Sequence, residues 1–287
     1  MRRVHLFEIE DQDWCPASLR DSATDFLQLF LRLTDSYSVI VPRLQAALAA
    51  CGTSRIIDLA AGGSGPWPRI LPRLLAHDAA IELLLTDKFP NQGAFAAVQR
   101  KFPAQVTAVP TPVDAAAVPS DLTGFRTLFT AFHHFPPDVA REVLADAVRQ
   151  RQGIGIFETT QRSLSAILRI LISAPALAVL AAPVTPPFRW SRLFWAYVLP
   201  ALPALVGWDG FVSCLRTYTP AELRALIASV PGADTYVWQV GEERNPLPLL
   251  PVTYLLGHPP EMSWGGPTPI RGEGLDDPVL AGPGAPG

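Results

Sequence analysis

The residues best able to do chemistry lie mid-chain, at the ends of short apolar runs. Asp58 closes Arg55-Ile56-Ile57 and opens onto Leu59-Ala60-Ala61-Gly62-Gly63-Ser64-Gly65. A buried strand running into small residues lets the backbone approach a ligand closely. In open α/β sheets ligands gather at such carboxyl ends. As a dinucleotide fingerprint, Ala60-x-Gly62-x-x-Gly65 is a degenerate match. The Asp58 carboxylate would repel a pyrophosphate on the next helix N-terminus and would suit a cation, an amino group or a sulfonium centre. Asp87 ends a second apolar run, 22 residues after Gly65, and Asp114 follows a third. Phe132-His133-His134 follows a fourth run and Glu158 a fifth. A neutral histidine at such a strand end takes a proton from a hydroxyl or amine. The alternative is that one ring packs against the ligand while the other binds backbone. Glu158 reads either as a base at the edge of an acceptor pocket or as a solvated strand-end acid.

The elements that must position these groups follow from periodicity. Phe26, Leu29, Phe30 and Leu33 share one helical face, which predicts helix over Ser22–Ala50. Strands are predicted at Arg55–Leu59, Ile81–Thr86, Gln105–Val109, Thr127–Phe132 and Gly153–Phe157, with a helix over Asp138–Arg149. Alternating strands and helices give a doubly wound, mostly parallel α/β sheet. Thr219-Pro220-Ala221-Glu222 predicts a helix start, with Thr as N-cap and Pro in the first turn. Two further strands are expected at Tyr236–Val240 and Val252–Leu256.

From Arg55 to Glu158 the chain resembles the class I S-adenosylmethionine-dependent methyltransferases. Their first motif is an acid followed by small residues and glycines after an apolar strand, as in Asp58–Gly65. The resemblance implies a Rossmann-like seven-stranded sheet with its last strand antiparallel, and S-adenosyl-L-methionine as cofactor. It places Asp58, Ala60, Gly62 and Gly63 at the cofactor, Asp87 on the ribose hydroxyls and Asp114 at the adenine amino group. Phe132 then lies beside the cofactor, with His133 and His134 as candidate catalytic residues. Ser64 stands where the third glycine is usual, and Ala60 where the first is. The N-terminal helical region would lid the cofactor, with Trp14, Asp21, Asp25 and Tyr37 lining the pocket or serving core and surface roles.

Ser163–Trp208 is the most unusual stretch. Its 46 residues hold no acid, and their only charges are Arg169, Arg189 and Arg192. Ile170–Pro187 and Leu193–Trp208 are uncharged runs of 18 and 16 residues, short for spans of about 20. Three roles are open: a soluble cap over an apolar acceptor, an interfacial hairpin with Arg and Trp at headgroup level, or a homodimer face. Trp190, Arg216 and Tyr218 are candidate substrate contacts beside Glu158, Arg216 and Tyr218 being alternatively a structural hinge. The expected segments are an N-terminal helical lid (1–50), the cofactor-binding half (51–162), the apolar insertion (163–212), the rest of the α/β domain (213–258) and a disordered Pro/Gly-rich tail (259–287).

Composition narrows the function classes. Charged residues make up 17%, against about 25% usually, and the formal charge is −3. No basic footprint for nucleic acid is present. Cys15, Cys51 and Cys214 are odd in number and lack C-x-x-C spacing, so neither a disulfide framework nor a metal site is expected. The acidic start, Glu8, Glu10, Asp11 and Asp13, is unlike a signal peptide. A cytoplasmic location is expected, with membrane-surface contact and a homodimer left open. The reading is methyl transfer to a lipophilic small-molecule acceptor. Its rivals are a non-catalytic binding or membrane-scaffold protein on the same fold and, against the charge of Asp58, a nicotinamide-dependent oxidoreductase.

Overall fold

The computed structural model describes residues 1–245 and 251–260. The expected disordered tail lies, from residue 261 on, outside the described residues. Strands β1 (Arg55–Asp58), β2 (Glu82–Leu85), β3 (Val106–Ala108), β4 (Phe125–Phe129), β5 (Ile154–Glu158), β6 (Val237–Glu243) and β7 (Val252–His258) form one sheet. Its order is β3-β2-β1-β4-β5-β7-β6. β1 pairs in parallel with β2 and β4, and β7 alone runs antiparallel, between β5 and β6. This is the seven-stranded sheet with an antiparallel last strand that the sequence implied. The order reverses between β1 and β4, which is where a doubly wound sheet opens a ligand crevice.

Helices α1 (Ala17–Thr34), α2 (Val41–Cys51), α3 (Trp67–His77), α4 (Gln92–Lys101) and α5 (Pro137–Arg149) are followed by α6 (Leu164–Ala181), α7 (Trp190–Leu193), α8 (Ala201–Arg216) and α9 (Pro220–Ala228). α9 begins as read, with a reciprocal capping box between Thr219 and Glu222. The helix expected over 22–50 divides in two. Asp35 adopts φ 49° and ends α1, and Pro42 falls in the first turn of α2, where its missing N–H costs nothing. The fourth strand also differs. It stops at Phe129, Thr130 takes φ 48°, and Phe132–His134 form a 3-10 turn instead of continuing the strand. That turn lifts both histidines off the sheet edge.

Two cores flank the sheet. Leu44, Trp67, Ile70, Phe125 and Phe157 belong to one, and Leu128, Phe132, Val143, Leu144 and Ile156 to the other. A third cluster joins Leu19, Ala23 and Phe26 of α1 to Ala178, Ala196, Leu202 and Leu205 of the insertion. The first segment of the chain therefore serves two bodies, with α1 on the insertion and α2 on the sheet. α6 and α8 approach closely because α8 presents glycines. A Cβ at Gly207 would stand 2.9 Å from Pro175, and one at Gly210 would stand 2.6 Å from Ile170. Arg192 is fully buried, and both it and Arg189 pair with Asp25 of α1. Both arginines are thus tied to α1, Arg192 wholly buried and Arg189 half-buried.

Within the second core, β4 carries a buried cation. Arg126 Nη1 donates to Asp146 Oδ2 of α5 at 2.8 Å, and neither side chain meets solvent appreciably. Removing one partner of such a pair strands the other charge. Asp146→Ala should destabilise the fold by about 3–5 kcal/mol, while Arg126→Met with Asp146→Leu should cost far less. Urea melts of both variants check this; equal losses would refute the stranded-charge account.

Candidate functional site

The glycine turn after β1 holds a chain of left-handed conformations: Gly62 at φ +47°, Ser64 at +83° and Gly65 at +49°. Ser64 thus occupies a backbone state that favours glycine. Gly62 N–H donates to Asp87 Oδ2 at 2.8 Å, and Phe89 N–H donates to Asp87 Oδ1 at 2.8 Å. The acid at the end of β2 therefore braces the turn beside β1. Burial raises its carboxyl pKa, an effect that these N–H donors partly offset. The space over Gly62 is open, since a Cβ built there would meet nothing within 4 Å. Asp114 lies on the adjoining loop, and Val113 N–H donates to Asp87 O at 2.9 Å. The Lys88 ammonium, 2.8 Å away, holds the Asp114 carboxyl below its usual range, helped by Ala116 N–H.

Asp58 requires a correction. The sequence placed it on the cofactor, but its carboxylate is fully buried and accepts from the Trp67 indole N–H. Burial pushes its pKa up to about 7 despite that bond. Its main chain also fastens β1 to β2, Asp58 O accepting from Thr86 N and Oγ1 at 2.9 and 2.8 Å. Asp58 is a wall of the turn, not a ligand to a cation. Gly63 is likewise covered, because a Cβ there would stand 2.8 Å from Thr24 and 3.0 Å from Gln28 of α1. Gln28 Oε1 is buried without a hydrogen-bond partner at this turn. That orphaned acceptor beside Gly63 is suited to a cationic group, and the sequence reading missed it. Ala60 is half-buried on the same loop.

Across the crevice, β5 ends at Glu158, and three donors converge on its carboxylate. Phe132 N and His133 N donate to Oε1 at 2.7 and 3.2 Å, and His133 Nδ1 lies 2.8 Å from Oε2. Burial pushes the Glu158 pKa up, but the His133 imidazole and these bonds outweigh it and hold it below the usual range. In the neutral ring, Nδ1–H donates to Glu158 and Nε2 carries the lone pair. Nε2 is buried and has no hydrogen-bond partner. Of the two candidate histidines, His133 has a base's geometry. His134 is different. Desolvation pulls it down, but Asp11, Glu8 and Glu10 overcome this and hold it at about 9. It is an imidazolium 3.5 Å from Glu8 and 3.6 Å from Asp11, and not a base at neutral pH.

The remaining candidates separate. Arg216 does not point into an acceptor pocket. It pairs with Glu8 at 3.2 Å and donates to Leu6 O at 2.7 Å. Tyr218 donates its hydroxyl to Phe135 O at 2.8 Å, packs on Phe132 and lies under the Arg3 guanidinium. Both hold the N-terminal segment over the site. Trp190 stands outside this cluster, 78% exposed and edge-on to Phe188. Glu8 went unassigned by the sequence reading, yet it is buried 3.9 Å from His133 Nε2. Its signal was a run of acids opening a charge-poor chain. Glu8, His133 and His134 lie close enough to share a cation. Arg216 Nη1, 3.3 Å from His134 Nδ1, already brings positive charge there.

No known family profile matches the chain, and no curated protein does. Solved structures do. An O-methyltransferase family protein from Burkholderia thailandensis is 15% identical with TM-score 0.43, over 86% of this chain and 58% of that one. Human N-acetylserotonin methyltransferase in complex with SAM is 12% identical with TM-score 0.45, over 84% and 58%. A putative zinc-dependent alcohol dehydrogenase from Rhodobacter sphaeroides is 13% identical with TM-score 0.44, over 79% and 97%. The chain spans little more than half the length of the two methyltransferases.

The state of Asp58 is measurable. Its folded pKa, about 7, lies above the ordinary 3.8, so the folded protein keeps a proton that the unfolded chain has lost. Stability then falls as pH rises from about 4 to about 7, and the contribution is flat above that. Asp58→Asn keeps the acceptor for Trp67 and removes the titration. The stability of the variant minus that of the wild type should climb across this window, by at most about 1.4 kcal/mol per pH unit. Urea melts at a series of pH values check the sign; a flat difference would place an ionised Asp58 in the fold.

Proposed function

We propose that the chain is an S-adenosylmethionine-dependent methyltransferase acting on a hydroxyl or amine of a lipophilic small molecule. The observation that carries the reading is the His133–Glu158 pair, a buried imidazole oriented by a strand-end acid on the crevice where the sheet order reverses. Asp87 supports it. One of its oxygens braces Gly62 beneath open space, which suits a carboxylate that also receives ribose hydroxyls. Asp114 and Ala116 then border the base, and the orphaned Gln28 Oε1 is the acceptor available to the cofactor's ammonium group. When bound, the cofactor supplies an electrophilic methyl group on a sulfonium sulfur. His133 Nε2 takes the proton that the acceptor releases, and Glu158 stabilises the imidazolium that results. Phe132, Phe135 and Tyr218 make the neighbouring wall aromatic, which supports an apolar acceptor.

One observation favours a second reading, binding without turnover: Glu8 of the N-terminal segment occupies the approach to His133 Nε2. Calorimetry and radiolabelled methyl transfer to a panel of apolar phenols and amines separate the two. On the enzymatic reading, Asp87→Ala weakens binding of the demethylated cofactor by about 10–100-fold, the worth of hydrogen bonds to a charged group. His133→Ala leaves that affinity intact and lowers turnover by about 10²–10⁴-fold. Cofactor binding with no transfer to any acceptor would select the binding reading. No binding at high micromolar concentration would reject both.

A further inference from the structure

α6 is an 18-residue helix of mean hydropathy 2.1, yet only 17% of it is buried. A core helix of that composition would be enclosed. Leu168, Ile172 and Leu180 face outward, and Val184, Trp190 and Val198 continue the surface through α7 and the π-helical turn Phe194–Val198 that follows it. Ile172 is 73% exposed. Single exposed apolar residues are ordinary, but a contiguous surface of this kind marks an interaction site. Both ends of α6 are tied to the body. Ile167 packs with Cys214 and Leu215, while Ala178 packs with α1. The helix therefore lies along the protein and does not project from it, and the segment Trp190–Val198 meets α8 at an 81° bend.

Beside this surface is a cleft of about 740 Å³ between α1, α3, α4 and the Pro186-Pro187 turn. Arg32, Arg69, Arg100 and Lys101 line it and are exposed. In the cleft the Arg69 and Lys101 side chains donate to carbonyl oxygens, Arg32 O and Pro68 O. The one lining carboxylate, Asp25, is already held by Arg189 and Arg192. Among the described residues these four cations thus stand without a countercharge, in a chain whose formal charge is −3. Pro186, Pro187 and Arg189 border the cleft and lie in sequence between Val184 and Trp190, so the basic mouth and the apolar surface adjoin.

We propose that this face docks on a bilayer leaflet containing anionic lipid, with α6 and the α7 turn lying in the interface and the basic cleft receiving phosphate headgroups. The complementarity is twofold. The apolar residues match the acyl boundary, and an uncompensated basic cluster beside them matches the negative surface potential. The cleft shares Gln28, Gly63 and Ser64 with the glycine turn, but the docking requires no methyl transfer.

Sedimentation of the full chain with vesicles tests it, using phosphatidylcholine alone and phosphatidylcholine with phosphatidylglycerol. The wild type should bind the anionic vesicles more tightly, and added salt should erase the difference. Arg32→Gln with Arg100→Gln should lower partition onto anionic vesicles by roughly thirty-fold and leave neutral vesicles unaffected. Ile172→Asp with Trp190→Asp, both at exposed positions, should abolish partition onto either, with circular dichroism unchanged. Absence of sedimentation, or equal partition of wild type and arginine variant, overturns the proposal. So does calorimetric binding of inorganic phosphate without vesicle binding, which would make the cleft a soluble-anion site. A dimer in light scattering that Ile172→Asp dissolves, again without vesicle binding, would assign the face to a second copy of the chain.

Discussion

The buried carboxylate of Glu158 is the constraint around which the site is arranged. A charge taken out of water at the end of β5 must be met by donors, and the chain meets it by bending. After Phe129 the backbone turns through Thr130 at φ 48° and into the 3-10 turn, so that Phe132 N–H and His133 N–H both reach Oε1. The same bend delivers the His133 ring to Oε2. One acid therefore fixes the exit from β4, the ring's orientation and its tautomer. The strained residue is supported from outside, where the Tyr37 hydroxyl meets Thr130 Oγ1 and the Phe157 carbonyl. Of the roles open to Tyr37 in the sequence, pocket lining or core, the structure gives it a buried one, buttressing the turn that carries His133.

The second layer of charge follows from the first. Glu8 is buried opposite His133, and its charge is met by Arg216 and the His134 imidazolium. The segment that brings Glu8 there is held largely through main-chain groups. Asp209 accepts from Ile9 N and Glu10 N at 2.6 and 3.0 Å, and Val4 N donates to Leu215 O. Arg3 reaches the carbonyls of His133 and Phe135 at 3.0 and 2.9 Å. The covering segment thus grips the turn that it covers. Any acceptor that reaches Nε2 must displace Glu8, and doing so separates Glu8 from Arg216. Access to His133 Nε2 and the charge state of this cluster are therefore linked.

The sheet was legible because its information is local. Short apolar runs leading to Asp58, Asp87 or Glu158 announce strand ends, and the capping box at Thr219 and Glu222 is complete within four residues. The methyltransferase resemblance assigned Asp87 to ribose hydroxyls; that it also braces the glycine turn through Gly62 N–H is a contact between strand ends that the sequence reading did not foresee. What stayed hidden depends on separations that periodicity does not carry. Glu8 meets Arg216 across more than 200 residues. Asp58 was read by its place after an apolar strand, but nothing in Asp58–Gly65 shows that the indole of Trp67, nine residues on, folds back to seal it. His133 and His134 are adjacent in sequence and opposite in role. The difference lies in which carboxylate each faces, Glu158 or the N-terminal acids.

The insertion illustrates how scarce charge organises a fold. A soluble cap would turn its apolar residues inward and its charges outward. Here Arg192 is buried and Arg189 half-buried, both held by Asp25 of α1, and Arg192 also donates to the Thr185 carbonyl. These contacts clamp the Pro186-Pro187 turn onto α1, whose Thr24 and Gln28 rest on Gly63. The apolar surface and the glycine turn are therefore connected through one helix. A force applied to α6 and α7, from a bilayer or from any other partner, reaches α1 through two charge-assisted bonds, and those resist displacement more than apolar sliding contacts do. The same coupling runs in reverse. A ligand that takes up the orphaned Gln28 acceptor would restrain α1, and with it the angle at which the insertion meets its surroundings.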